Sequence, residues 1–157
     1  MNKTILGLDK QDTANLVTEL NGLLANFQIY YQNLRGLHWN IKGKNFFELH
    51  VKFEEFYTDS QIKIDEIAER ILTLQGKPLH TFTDYIAKAI VPVGKDISND
   101  VEGVELVVNS ISELLKMERN ILNISDNADD EGTNSMMSDF IAEQEKTIWM
   151  LNSWLGK

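Results

Sequence analysis

Apolar residues recur at helical spacing along nearly the whole chain. Leu16, Leu20, Leu23, Phe27, Tyr30, Leu34 and Leu37 follow at alternating three- and four-residue steps, the stripe of a bundle helix that starts near Asp9 to Asp12. The segment IKGKN, residues 41 to 45, turns the chain back, so a second helix should lie antiparallel to the first. Asn45 is its expected N-cap, with Glu48 three residues on to close a capping-box-like turn, and no glycine or proline follows until Gly76 and Pro78. Its apolar positions, Phe53, Phe56, Ile62, Ile64, Ile67 and Ile71, serve both the bundle and a partner helix. A connection of roughly twenty residues then runs to about Ser98, long enough to carry structure of its own and to join parallel neighbours. Thr83 to Ala89 is read as a short helix within it. Ser98 is the expected cap of the next long helix, with Val101, Val104, Val108, Ile111, Leu115 and Leu122 in period and Val107, Leu114 and Ile121 widening the face. The stretch SDNADDEGTN, residues 125 to 134, separates it from a last helix marked by Met137, Phe140, Ile141, Ile148, Leu151 and Leu155. The expected fold class is all-α: a four-helix bundle with a short extra helix in the crossover between helices 2 and 3, one domain over residues 1–157.

Composition narrows the chemistry. The chain has no cysteine, which excludes disulfides, thiolate zinc sites and cysteine nucleophiles and leaves oxygen and imidazole as metal ligands. Twenty-four acids against fifteen bases give a net charge of −9, a field that attracts cations and opposes a general grip on nucleic acid. The apolar run near the N-terminus is too short for a signal peptide, and no stretch reaches the length of a membrane span, so a cytoplasmic protein is expected.

The candidate chemistry is concentrated in the second helix. His50 and Glu54 stand four residues apart, as do Asp65 and Glu69, so each pair shares a helix face and can converge on one cation. The two pairs cannot share a metal within one chain: the eleven residues from Glu54 to Asp65 span about 16 Å of axis, against metal–ligand bonds of about 2.0–2.6 Å. A second copy removes the difficulty. Both pairings, His50 with Glu69 and Glu54 with Asp65, are symmetric about the point between Asp59 and Ser60. An antiparallel two-fold crossing there sets His50 against Glu69 of the partner subunit, and Glu54 against Asp65 of the partner subunit. Around the axis, Glu54 and Asp65 are only about 20° apart, so all four residues can face one seam. His38, just before the turn, can supply another nitrogen. No Glu-x-x-His occurs in the sequence, so a di-iron site built from that motif inside the bundle is excluded.

These residues also carry a resemblance. His38-Trp39, Gly43, Phe46-Phe47, Leu49-His50, Phe53, Glu55, Tyr57, Asp65 and Ala68-Glu69-Arg70 resemble the pattern of the Dps family of miniferritins, and the likeness extends to the closing TIWMLNSWLGK. It implies a ferritin-like bundle and a homododecameric shell. It further implies a ferroxidase centre, with two irons per site, between two-fold-related subunits. His38, His50 and Glu54 would come from one chain, Asp65 and Glu69 from the other. Glu54 departs from the aspartate more usual at that position. Hydrogen peroxide, or oxygen, is the implied oxidant, and a ferric mineral core the implied product. The acidic turn with Asp126, Asp130 and Glu131 matches the region that lines cation-admitting pores in such shells.

Two other readings stand beside this one. A DNA-compacting shell without redox activity, the family's other role, is opposed by the charge and by a tail holding only Lys3 and Lys10, so DNA binding is expected to be weak or absent. A purely structural bundle leaves the mirrored carboxylates without a purpose.

Overall fold

Helix α1 (Lys10–Asn40) starts where its cap is best: the Asp9 carboxylate accepts from the backbone N–H groups of Gln11 and Asp12, two of the donors a helix start leaves unpaired. The computed structural model describes residues 2–157 and forms four further helices: α2 (Phe46–Thr73), α3 (Phe82–Lys88), α4 (Asp100–Asn127) and α5 (Glu131–Trp154). All seven residues of the α1 stripe are buried and form one wall of a continuous core, with Phe53, Ile67 and Ile71 of α2 opposite.

Contacts fix the topology. The end of α2 lies beside the start of α1, where Asn21 bonds to both Lys77 and Leu79, so the two helices are antiparallel. The crossover then climbs along α1. Asn26 accepts from the N–H groups of Ile90 and Val91, and Asn33 accepts from Gly94 and donates to the carbonyl of Pro92. Three asparagines on one helix thus satisfy an irregular segment whose backbone groups would otherwise be stranded against the bundle. The climb delivers α4 to the end where α2 begins, with Gly103 near Leu37 and Phe53. Helices α2 and α4 therefore run parallel, and α5 returns antiparallel, starting near Arg70 and finishing near Lys52. This is the ferritin-like order of a bundle with one long crossover, not a simple up-down bundle.

Boundaries differ from expectation where side chains choose other partners. Asn45 precedes α2 as expected, yet its side chain makes no cap; its Nδ2 donates instead to Asp100 Oδ2 at 2.6 Å, tying the α1–α2 turn to the start of α4. Asn99, not Ser98, caps α4, while the carbonyl of Ser98 accepts from the N–H of Lys42. Helix α3 begins one residue earlier than expected because the Thr81 side chain accepts from the N–H of Asp84. The break between the last two helices spans residues 128–130, far less than the ten residues expected. Asp129 takes a left-handed conformation (φ 57°) that an aspartate tolerates, and Asp130 caps α5 at once.

Helix α4 carries two adjacent apolar rows, and the core draws on both, taking Val104 and Ile111 from the first and Val107, Leu114 and Ile121 from the second. Val104, Val107, Ile111, Leu114 and Ile121 are buried, whereas Val108, Leu115 and Leu122 are half-buried and Val101 is exposed. That choice puts Glu118 at a core position.

Candidate metal centre

The end of α1 and the start of α2 bring His38 and His50 face to face. Their rings stack with centroids 3.8 Å apart and planes 11° from parallel, and Phe46 stacks on the far side of His50 at 4.8 Å. Their hydrogen bonds are reciprocal: His38 Nδ1–H donates to the carbonyl of His50 at 2.6 Å, and His50 Nδ1–H donates to the carbonyl of His38 at 2.7 Å. A carbonyl can only accept, so each Nδ1 carries a hydrogen, and in the neutral ring the lone pair sits on Nε2. Two imidazoles held in one tautomer by backbone partners are prepared metal ligands, since such a partner on the remote nitrogen fixes ring orientation.

Glu54 follows one helical turn after His50, solvent-exposed, with its Oε1 accepting from the Tyr57 hydroxyl at 3.2 Å. Tyr57 also stands edge-on to His38, with centroids 5.4 Å apart, and edge-on to Tyr31 at 6.0 Å. Desolvation and then the Glu54 carboxylate push the Tyr57 phenol above its ordinary range, so it remains a donor. Arg35 lies between the rings of Tyr31 and Trp39, 5.2 and 5.0 Å from their centroids, and holds the exposed Trp39 against α1.

Asp65 and Glu69 lie toward the other end of α2, both exposed and one turn apart. Among the described residues, no three histidine or carboxylate side chains converge on a metal-sized position within the chain, and no ion pair involves Glu54, Asp65 or Glu69. The structure therefore brings His38, His50 and Glu54 into one neighbourhood and keeps Asp65 and Glu69 apart from them. Ile62, close to the midpoint between the two groups, is exposed on the same helix.

The acidic turn divides by role. Asp126, Asp129 and Glu131 are exposed and share a recess with Ser125 and Asn134. Asp130, expected among solvent-facing pore acids, is instead 2% exposed: it accepts from Arg70 Nη2 at 2.6 Å and from both the N–H and hydroxyl of Thr133. It is a buried cap locked to α2 and borders the same recess from beneath the exposed acids. Gly132 allows this, because a Cβ there would stand 2.7 Å from the Arg70 guanidinium. His80 is an exposed loop residue, Nδ1 bonded to the carbonyl of Pro78. The Arg70–Asp130 lock and the reciprocal histidine bonds escape sequence reasoning; a half-buried arginine sixty residues away has no periodic signature, and main-chain acceptors have none at all.

A ferritin-like domain matches residues 17–157, and the architecture is that of a ferritin-like bundle. A Dps protein from Vibrio cholerae O1, described as a member of a broad superfamily of ferritin-like diiron-carboxylate proteins, superposes with a TM-score of 0.97 at 50% identity, over 99% of this chain and 98% of that one. A Dps protein from Bacillus brevis gives 0.90 at 35% identity over 92% of this chain and 97% of its own. The DNA protection during starvation protein of Porphyromonas gingivalis is 41% identical over 153 residues, 98% of this chain and 96% of that protein. The chain belongs to the Dps family of miniferritins. No helix among the described residues is long and apolar enough to cross a membrane.

Proposed function

We propose that this protein stores and detoxifies iron: it oxidises Fe²⁺ at sites shared by two subunits and deposits ferric mineral inside a dodecameric shell. The observation that carries this reading is the paired imidazoles of His38 on α1 and His50 on α2, each anchored through Nδ1 on a backbone carbonyl, with the Asp65 and Glu69 pair of α2 repeating the His50 and Glu54 spacing in mirror order. One subunit supplies His38, His50 and Glu54; Asp65 of the partner subunit and Glu69 of the partner subunit complete the ligand set. The exposed Ile62 near the crossing point, and Phe82, Ile86, Ile90 and Val93 on and after α3, are apolar surface of the kind that subunit contacts cover.

Iron is substrate here. Neutral imidazoles hold Fe²⁺ without adding charge, and carboxylates favour the harder Fe³⁺, so a mixed set accepts the one and releases the other. Two Fe²⁺ give one electron each to one hydrogen peroxide, whose O–O bond breaks; with two waters the products are two FeOOH and four protons. Ferrous iron and peroxide are thereby consumed together, without a free hydroxyl radical. Asp126 and Glu131, exposed in their recess, are the acids that would draw cations inward, helped by the net charge of −9.

Anaerobic Fe²⁺ loading followed by peroxide tests the reading. The expected result is a rise in ferric absorbance that ends at one peroxide per two Fe²⁺. Absence of that rise contradicts the ferroxidase assignment.

A further inference from the structure

Glu118 occupies a position where α4's own periodicity calls for an apolar side chain. It continues the buried row Val104, Val107, Ile111, Leu114 and Ile121, and it is 0% exposed. Its one partner is on α5: Gln144 Nε2 donates to Glu118 Oε2 at 2.6 Å. The other oxygen of each group, Glu118 Oε1 and Gln144 Oε1, is also buried and has no hydrogen-bond partner among the described residues. An ionised carboxylate only accepts, and so does an amide oxygen, so these two atoms cannot satisfy each other as the charged form stands. A single proton on Glu118 Oε1, shared with the Gln144 amide oxygen, would remove both deficits at once.

We propose that Glu118 is held as a neutral carboxylic acid whose Oε1–H donates to Gln144 Oε1, closing a two-bond acid–amide ring that fastens α4 to α5 and weakens as the medium turns alkaline. The charged and titratable groups around it do not supply an alternative partner. On α2, Lys63 points its ammonium at Asp59 and at Glu143 of α5, at 2.6 and 2.7 Å, and two carboxylates already exceed its charge. On α4 itself, Arg119 pairs with Glu145 of α5 at 2.9 Å, half-exposed. On α1, Tyr30 is buried and its phenol is kept un-ionised by burial, with Asp59 and Glu118 adding to the effect. Burial pushes the Glu118 carboxyl up to about 8, against the opposing pull of the Gln144 bond, Lys63 and Arg119.

The direction of the pH effect follows. Between the ordinary value of 4.5 and about 8, the folded chain keeps a proton that the unfolded chain has released. The ring's contribution is therefore fully present below about pH 4.5, declines through that window and is lost above about pH 8. Nothing in this depends on the iron reading, because Glu118 and Gln144 lie outside the proposed ligand set.

Glu118→Gln is the discriminating variant, since its amide offers one N–H and one C=O and so keeps the ring without a titratable proton. Unfolding of the full chain, at equal protein concentration and across pH 5 to 9, should show wild type losing ground to the variant. The ratio of their unfolding constants should change by up to about tenfold per pH unit inside the window and become flat above it. A ratio independent of pH, or a variant weaker than wild type throughout, overturns the proposal. Infrared spectra of the wild type supply the second readout and need no variant: a carboxylic-acid carbonyl band at pH 7, vanishing near pH 9, is expected. A wild-type spectrum showing only carboxylate at pH 7 overturns the proposal as surely.

Discussion

His50→Ala and Asp65→Ala each assemble normally and each lose Fe²⁺ oxidation, while subunits of the two variants mixed by co-refolding recover about a quarter of the wild-type sites. The loss in each single variant should exceed the roughly 10–100-fold that removing an outer-shell partner costs a metal site. Assembly should survive, because Asp65 is exposed and His50 is only half-buried, so neither anchors the core. The quarter is set by symmetry. In a dimer of one variant with the other, one site inherits both defects, whereas its twin receives His50 from one chain and Asp65 from the other, both intact. Half the dimers formed at random are of this mixed kind, and half their sites work. Activity and iron stoichiometry of the mixture, against equal amounts of each variant alone, are the measurements. A site contained within one subunit gives no recovery at any mixing ratio.

Asp130→Ala should be the most damaging change outside the hydrophobic core. The carboxylate is almost wholly buried, caps α5 through the N–H of Thr133 and receives the Arg70 guanidinium. Losing an N-cap costs about 1–2 kcal/mol. Stripping a charged hydrogen-bond partner from Arg70, itself only 20% exposed, costs about 1–3 kcal/mol more. Together these give roughly 2–5 kcal/mol, read from denaturant unfolding at fixed protein concentration. Asp130→Asn should cost less, since the amide oxygen can still cap the helix. Glu131→Ala, one residue further on and exposed, should leave stability nearly unchanged. Equal losses for Asp130 and Glu131 would show that the acids of this turn act as one solvated cluster.

The contrast between these neighbours shows how far the chain can be read without coordinates. The start of helix α1 is legible to within a few residues, near Asp9 to Asp12, because an apolar stripe and an aspartate are local signals. The span of α2 was nearly so, since only Gly76 and Pro78 could stop it. What sequence could not rank was competition among partners. Asn45 could cap α2 or reach Asp100, and the ionic acceptor won. Asp130 looked like its acidic neighbours until Arg70, sixty residues earlier, claimed it. On α4 the buried face runs between the two apolar rows, through Val104, Val107, Ile111, Leu114 and Ile121, and packing there buries Glu118. Spacing alone singles out His50, Glu54, Asp65 and Glu69 as candidates, whereas His38 rests on its place before the turn and on the resemblance. The fixed tautomers of His38 and His50 were not legible, because their partners are backbone carbonyls that any sequence possesses.

The most direct measurement is anomalous diffraction from crystals of the assembled protein soaked anaerobically in Fe²⁺. Two α2 helices should cross near Asp59 and Ser60. Iron should lie about 2.0–2.6 Å from imidazole nitrogens of one protomer and from the carboxylates of Asp65 of the partner subunit and Glu69 of the partner subunit. Iron held only by residues of a single protomer, or α2 helices that do not meet there, would contradict the account.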